Sequence, residues 1–563
     1  MPVLLETLDQ QIAATLSDWN LYTTLIAASI VAFLAYPIVY PSEPDTHPLL
    51  LARQASAAPV RNKNESAVYR SPEIPHGYPL KSGLNVKQPG EPRWKTGKDG
   101  DLRDIWREVL RGGQAGQDGK ETPQGSIMSV FGKKEIQEHD LQKLSKQINV
   151  LGKYWKETGD GKVAVYLPNN IEYLVSIFAC AFYGLTPILL PHDLAPAKVH
   201  ELLNLVGADT LVTEAGTLPT DDIARECKGL RLITSVVHKP NRHMDWAGVP
   251  DSAQSRLSMS VWSDLVDEAA NASATLPEND SISKLGEIVT VWQPVDDSAK
   301  PIITTFTQAN IISAVAAMTT SLPLRQRMTP ADLLLPADSF NRSYVLCWTL
   351  AALYTHASVA INSVAGPKAS LAAATGSTSP TIIIASAEAM STLHTEATAK
   401  ITSPLHKFGL LTQSQTLSAG RMPSSSFFLP PSTSTSTSPG KLRLILTSER
   451  FGADSPPLSS AQLSDLRIFT RARIVYALTA PNVAGAVAQT HVFDYRREEG
   501  AGHSRFGAPL SCVEVRVLGA DDKDVGASEP TGELVVAGPA VAGGEWRSGR
   551  RFRVREDGCL GYA

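Results

Sequence analysis

A chain of 563 residues is too long for one hydrophobic core and is expected to fold as two to four compact units. Hydrophobic residues make up 43% and charged residues 19%, the balance of a globular protein rather than a disordered one. The formal net charge of -4 carries no basic excess, so nucleic acid is not an expected partner.

In chain order, residues 1–20 read as a short N-terminal tail with Glu6, Asp9 and Asp18 and no Lys or Arg. Leu21 to Tyr40 is twenty residues without a charge, enough at about 1.5 Å per residue to span roughly 30 Å of hydrocarbon. Trp19, Tyr22, Tyr36 and Tyr40 stand near its ends, where amphipathic rings favour a membrane interface. The reading is a transmembrane helix over 21–40; a cleaved signal peptide, which wants a basic leader, and a buried core helix are the alternatives. Arg53, Arg61 and Lys63 follow the stretch, which places the bulk of the chain in the cytosol on a single-pass anchor. That orientation makes the N-x-S sites at Asn64, Asn271, Asn279 and Asn341 irrelevant to glycosylation. Cys180, Cys227, Cys347, Cys512 and Cys559 are scattered, with no CxxC pair, and suit buried thiols in a reducing compartment.

Residues 41–100, rich in Pro, Gly and charge, read as an extended lead-in. Helical patterns follow from Leu102 and over Glu135 to Tyr154. Then come a strand at Val163–Leu167, a helix at Ile171–Tyr183, a strand at Pro187–Leu190, a helix at Ala197–Val206 and a strand at Thr210–Val212. This alternation predicts a parallel, helix-covered sheet in a first α/β subdomain, 101–285. A second, 286–482, has strand-like runs at Leu333–Leu335, Val359–Ile361, Thr381–Ile384 and Leu442–Leu446, and a low-complexity insertion at 412–440. Residues 483–563 carry shorter Val-rich runs, Val513–Val517 and Glu533–Val536, expected as antiparallel strands of a small β-rich subdomain.

Five ordered segments carry a resemblance: GDGKVAVYLPNNIEYLVSIFACAFYGLTPILLP from Gly159, SPTIIIAS from Ser379, KLRLILTSE from Lys441, RFGAPLSCVEVRVL from Arg505 and PTGELVVAGP from Pro530. Together they resemble the adenylate-forming (AMP-binding) superfamily over about residues 100–563. The charge-free stretch and DTHPLLLARQ after it are most similar to membrane-bound long-chain acyl-CoA synthetases. The resemblance implies an α/β N-terminal domain of two mainly parallel sheets plus a β-rich subdomain. It also implies adenylation of a carboxylate with Mg-ATP and acyl transfer to coenzyme A.

The motifs that such chemistry needs are degenerate. TQANI, Thr307–Ile311, looks like the family's T-H-x-N-L and sets the register of the phosphate loop S-G-T-T-G-x-P-K, which becomes Val295 to Ile302. Only Ser298 and Pro301 match; the glycines are gone, and Ile302 replaces the lysine that would add positive charge. Asp296 and Asp297 stand in an ordinary surface loop or, alternatively, a metal-assisted site. Y-G-x-T-E becomes Tyr476 to Ala480, keeping Tyr476 and Thr479 and losing the metal carboxylate to Ala480. T-G-D becomes Ser548, Gly549, Arg550, a cation in place of an acceptor. L-P-x-x-H has Ser339 for its histidine. The family's hinge and its lysine-bearing small domain are expected to be absent after Ala563.

Removing one preorganised charge-stabilising group costs about 10²–10³ in rate, so several losses point to a catalytically degenerate protein. Ser298, Pro301, Tyr476 and Thr479 are then vestigial nucleotide-site residues, with no catalytic or metal-binding residue and no cofactor expected. The role is scaffolding, regulation or acyl-lipid binding, with a fatty acyl chain or a lipid-metabolic enzyme as partner and the endoplasmic reticulum membrane as location. The alternative is an active long-chain acyl-CoA ligase that uses ATP, Mg and CoA through an atypical site.

Overall fold

A computed structural model describes residues 20–39, 43–87, 91–92, 94–113, 123–131, 135–237, 256–269, 271–278, 285–294, 300–376, 378–423, 442–452, 457–498, 500, 502–519 and 528–563, with side chains of 33–39 excepted. Residues 1–47 and 48–563 form separate units.

In the first unit the charge-free stretch forms a helix, Leu21–Val39, started by Asn20, whose Oδ1 accepts from the amides of Tyr22 and Thr23 at 2.9 and 3.0 Å. Leu21, Tyr22, Leu25, Ile26, Ile30 and Val31 are exposed. Among the described residues no helix is long and apolar enough to cross a membrane. The span expected over 21–40 is therefore not found among the described residues, where the stretch forms the nineteen-residue helix Leu21–Val39.

The second unit is built on three sheets. Seven strands run in the order Ile302–Phe306, Ile288–Trp292, Thr186–Leu189, Lys162–Tyr166, Thr210–Glu214, Leu232–Val236, Ser258–Val261. All neighbours are parallel except the hairpin 288–292/302–306. Nine strands form the second sheet, whose parallel middle runs Arg473–Thr479, Leu444–Arg450, Ile382–Ser386, Leu333–Pro336, Ser358–Asn362, Ile127–Phe131. Its outer strands, Ala488–Gln489, Ala508–Pro509 and Glu135–His139, are antiparallel. The expected α/β class of helix-covered, mainly parallel sheets is thus observed, and the antiparallel pair predicted near Val513 and Glu533 forms as Glu514–Leu518 with Thr531–Ala537.

Local chemistry explains the elements. Helix Ile171–Tyr183 is apolar all round because it is a core helix: Asn170 caps it by accepting from Tyr173 N at 2.8 Å, and Gly184 ends it at φ 70°. Helix Gln308–Ser321 begins with a capping box between Thr307 and Asn310.

Three expectations change. Glu135–His139, read as the start of a helix, is a polar edge strand paired with Ile127–Phe131; the helix begins only at Leu141, capped by Asp140. Residues 412–418, read as the front of the insertion, complete helix Pro404–Ser418; Arg421–Pro423 follow it, and 424–441 lie outside the described residues. The lead-in is not merely extended. Ser56–Ala57 pairs with Tyr69–Arg70, which joins Glu514–Leu518 and so extends a six-stranded sheet completed by Thr531–Ala537, Glu545–Val554 and Leu560–Tyr562. Gln54 Nε2 reaches Asp494 Oδ2 at 2.9 Å, and Gln54 N donates to the carbonyl of Asp557 at 2.7 Å.

Candidate functional site

The strands of both parallel sheets release their loops into one crevice of about 510 Å³. Pro191–Leu194 follows strand Thr186–Leu189, Gln293 and Pro294 follow Ile288–Trp292, Ser339–Arg342 follow Leu333–Pro336, and Ala365–Lys368 follow Ser358–Asn362. Ser386 and Arg450 are the last residues of their own strands. Ligands of open α/β sheets settle at such carboxyl ends.

Charge in the crevice is unevenly paired. Arg342 binds Asp338 at 2.6 Å, and Asp338 is fully buried. Lys368 faces Glu388 at 3.7 Å. Arg450, by contrast, forms no hydrogen bond or ion pair among the described residues; its guanidinium lies 4.3 Å from the ring centroid of Trp292, and its Nε is sealed from solvent without a partner. Burial first, and Arg342 second, push the Arg450 guanidinium down to about 9, against the pull of Asp338 and Asp193. It therefore stays charged at neutral pH. Beside it His192 stacks on Tyr166 at 5.2 Å with Nε2 buried and unpartnered among the described residues, and burial lowers its pKa against the pull of Glu214 and Asp193.

The predicted nucleotide residues are placed elsewhere. Ser298, with Asp296 and Asp297, lies outside the described residues. Pro301 is half-buried and precedes Ile302, which is exposed and pairs with Trp292 in the hairpin. Tyr476 and Thr479 are buried in strand Arg473–Thr479. The Tyr476 hydroxyl donates to Oε2 of Glu449 and accepts from Leu458 N at 3.0 Å, while Thr479 Oγ1 donates to the carbonyl of Glu449 at 2.8 Å. Tyr562 closes the cluster by donating to Glu449 Oε1 at 2.6 Å, and Phe506 packs on both tyrosine rings. Pro301, Tyr476 and Thr479 are not among the described residues lining the crevice, whereas Ser339, at the position of the family's histidine, is. Arg550 is exposed and lies over the Phe451 ring at 5.3 Å.

Sequence reasoning missed Arg450 and Trp292. The signal available was an arginine four residues beyond the strand-like run Leu442–Leu446 and an aromatic residue closing the apolar run Ile288–Trp292, a strand not expected from the sequence; both stand at the carboxyl ends of their strands, the ligand-bearing edge.

Comparison with known proteins agrees with this architecture. The family model described as AMP-binding enzyme matches residues 123–282, under a third of the chain. No curated protein matches the sequence. Among solved structures, the anthranilate CoA ligase AuaEII in complex with anthranoyl-AMP is similar at 13% identity and TM-score 0.56, over 82% of this chain and 77% of that one. The N-terminal domain of FACL13 from Mycobacterium tuberculosis is similar at 13% identity and TM-score 0.55, over 82% and 99%. A long-chain-fatty-acid-CoA ligase (FadD1) from Archaeoglobus fulgidus is similar at 15% identity and TM-score 0.55, over 86% of each chain. Residues 123–282 thus carry the AMP-binding enzyme signature, within a chain that has the α/β fold of acyl-CoA ligase N-terminal domains.

Proposed function

We propose that this protein is a catalytically degenerate relative of acyl-CoA ligases that retains the fold and its crevice for binding and does not adenylate a carboxylate. The observation that carries the reading is the Glu449 cluster. The tyrosine and threonine matching the nucleotide motif spend their hydroxyls on Glu449, inside the protein, instead of presenting them to a ligand. The metal-binding carboxylate of the same motif is replaced by buried Ala480, and the ribose-binding one by exposed Arg550. These residues do not fit Mg-ATP. The test is calorimetry with Mg-ATP beside ATP–pyrophosphate exchange: a dissociation constant weaker than about 1 mM and no exchange are expected, and binding tighter than that, roughly -4 kcal/mol or better, overturns the reading.

The role that fits is scaffolding, regulation or acyl-lipid binding at a membrane, with a fatty acyl chain or a lipid-metabolic enzyme as partner and the endoplasmic reticulum as location. Its support is the charge-free helix Leu21–Val39 with exposed Leu21, Tyr22, Leu25, Ile26, Ile30 and Val31. Anchorage predicts that the protein stays with the pellet under alkaline carbonate extraction and that the part after residue 47 is digested by protease outside intact microsomes; release by carbonate refutes it.

A second reading, an active ligase using ATP, Mg and CoA, is favoured by one observation: a ligase with bound anthranoyl-AMP shares the fold over 77% of its length. Acyl-CoA formation by the purified protein would establish it.

A further inference from the structure

We infer that the crevice is an oxyanion receptor in which Arg450 grips the carboxylate or phosphate group of a ligand. The inference rests on the proposed non-catalytic reading of the same crevice and names the chemistry it recognises.

The argument begins with cost. An arginine half-buried at the end of a strand and deprived of acceptors is expensive, because burial strips water from the ion and nothing in the protein replaces it. Arg450 is in that position: its Nε is sealed and unpartnered, and no described carboxylate bonds to it. Among the described residues, the acids around it are committed elsewhere or form no ion pair with it. Asp338 is held by Arg342 and by the amide of Ser339 at 2.8 Å, Glu388 faces Lys368, and Asp193 is exposed without an ion pair to Arg450. Trp292 covers the guanidinium plane at 4.3 Å, which fixes the side chain without consuming its donors. With Nε sealed and no partner among the described residues, the terminal nitrogens are the ones left to face the crevice.

The surroundings suit an anion. Arg342 and Lys368, each beside its own carboxylate, line the same space together with Asn341 and His192. A guanidinium fork matches carboxylate and phosphate oxygens in geometry as well as charge, and does so best where water is excluded. The volume of about 510 Å³ admits a small organic anion rather than a polymer.

The full chain, purified in detergent, is tested with two probes, inorganic phosphate and octanoate, by the shift they cause in the thermal midpoint. At least one probe is expected to raise the midpoint of the wild type, and the stronger of the two identifies the oxyanion class. Arg450→Met is expected to weaken that binding about ten- to hundredfold, the worth of charge-assisted hydrogen bonds. Without probe, Arg450→Met is expected to melt higher than wild type, because it removes an unpaired buried ion at nearly constant side-chain length. Should Arg450→Met fail to fold, Arg450→Lys, which keeps the charge but not the planar fork, is expected to bind several-fold weaker. No shift with either probe in the wild type, or equal shifts in wild type and variant, overturns the inference. Mg-ATP binding or ATP–pyrophosphate exchange would defeat the non-catalytic reading while leaving the anion result to stand or fall separately.

Discussion

The hydroxyl of Tyr562 donates to Glu449 Oε1 at 2.6 Å, so a strand near residue 562 completes the coordination of a carboxyl buried at the end of the nine-stranded sheet. Burial raises the Glu449 pKa above the ordinary carboxylate value, although Tyr476, Tyr562 and His503 pull the other way. A raised acid pKa means the folded state holds its proton longer than the unfolded one. This group therefore stabilises most at acidic pH, and stability is expected to decline as pH rises from about the unfolded value towards the folded one. Urea unfolding followed by tryptophan fluorescence between pH 4 and 8 checks this: Glu449→Gln should flatten that decline. Glu449→Ala should cost about 1–3 kcal/mol for each buried hydroxyl left unsatisfied.

Asp494 behaves in the opposite sense. Burial opposes its ionisation, yet hydrogen bonds from Arg496 and the charges of Arg505 and Arg496 outweigh it, with Gln54 adding to them, and hold the carboxyl down to about 2. Its contribution is present above the ordinary carboxylate pKa and is lost as pH falls towards 2. Asp494→Asn is expected to destabilise by about 1–3 kcal/mol at pH 7, since it removes one carboxylate from Arg496 and the buried Arg505, which keep Asp557 at 2.8 Å and Glu498 at 2.7 Å. Urea melts at pH 7 and pH 3 should show the gap between variant and wild type narrowing.

Two glycines with similar backbone angles should respond differently to alanine. Gly507 has φ 75°, and an added Cβ would come 2.1 Å from the carbonyl oxygen of Gln489. Gly543 has φ 74° and nothing within 4 Å of that position. Gly543→Ala is expected to cost about 1 kcal/mol from the backbone alone, and Gly507→Ala clearly more, because backbone must shift. Denaturant midpoints of the pair decide it.

All five cysteines are buried and free, and burial pushes Cys227 up to about 11 and Cys512 up to about 12. Native protein at pH 8 is expected to resist thiol reagents, with five thiols titrating only after denaturation. Rapid labelling of native protein would contradict the described packing.

How much was legible depended on what each segment had to hide. Ile171–Tyr183 and strands such as Leu333–Pro336 are apolar because they are enclosed, and their composition announced them. Glu135–His139 is a polar edge strand with an exposed face, so nothing periodic marked it. Residues 412–418 lack apolar spacing, and the informative signal lay upstream, where Ser403 caps a helix with Pro404 in its first turn. The motif register picked out Tyr476 and Thr479, which lie outside the crevice lining, and the turning of their hydroxyls onto Glu449 is a property of side-chain direction that the motif does not encode. The meeting of Arg450 with Trp292 joins two sheets and is visible only in three dimensions.

The pairing of the lead-in with the last strands also sets a schedule. Gln54 and Asp494 are 440 residues apart, and at about 5–20 residues per second a ribosome needs roughly 20–90 s to deliver the partner. Through that interval the pair Ser56–Ala57/Tyr69–Arg70 lacks the strand it extends, because Glu514–Leu518 has not been made. These strands leave the ribosome long before the strand they dock on, so their place in the sheet is set only once Glu514–Leu518 has been made.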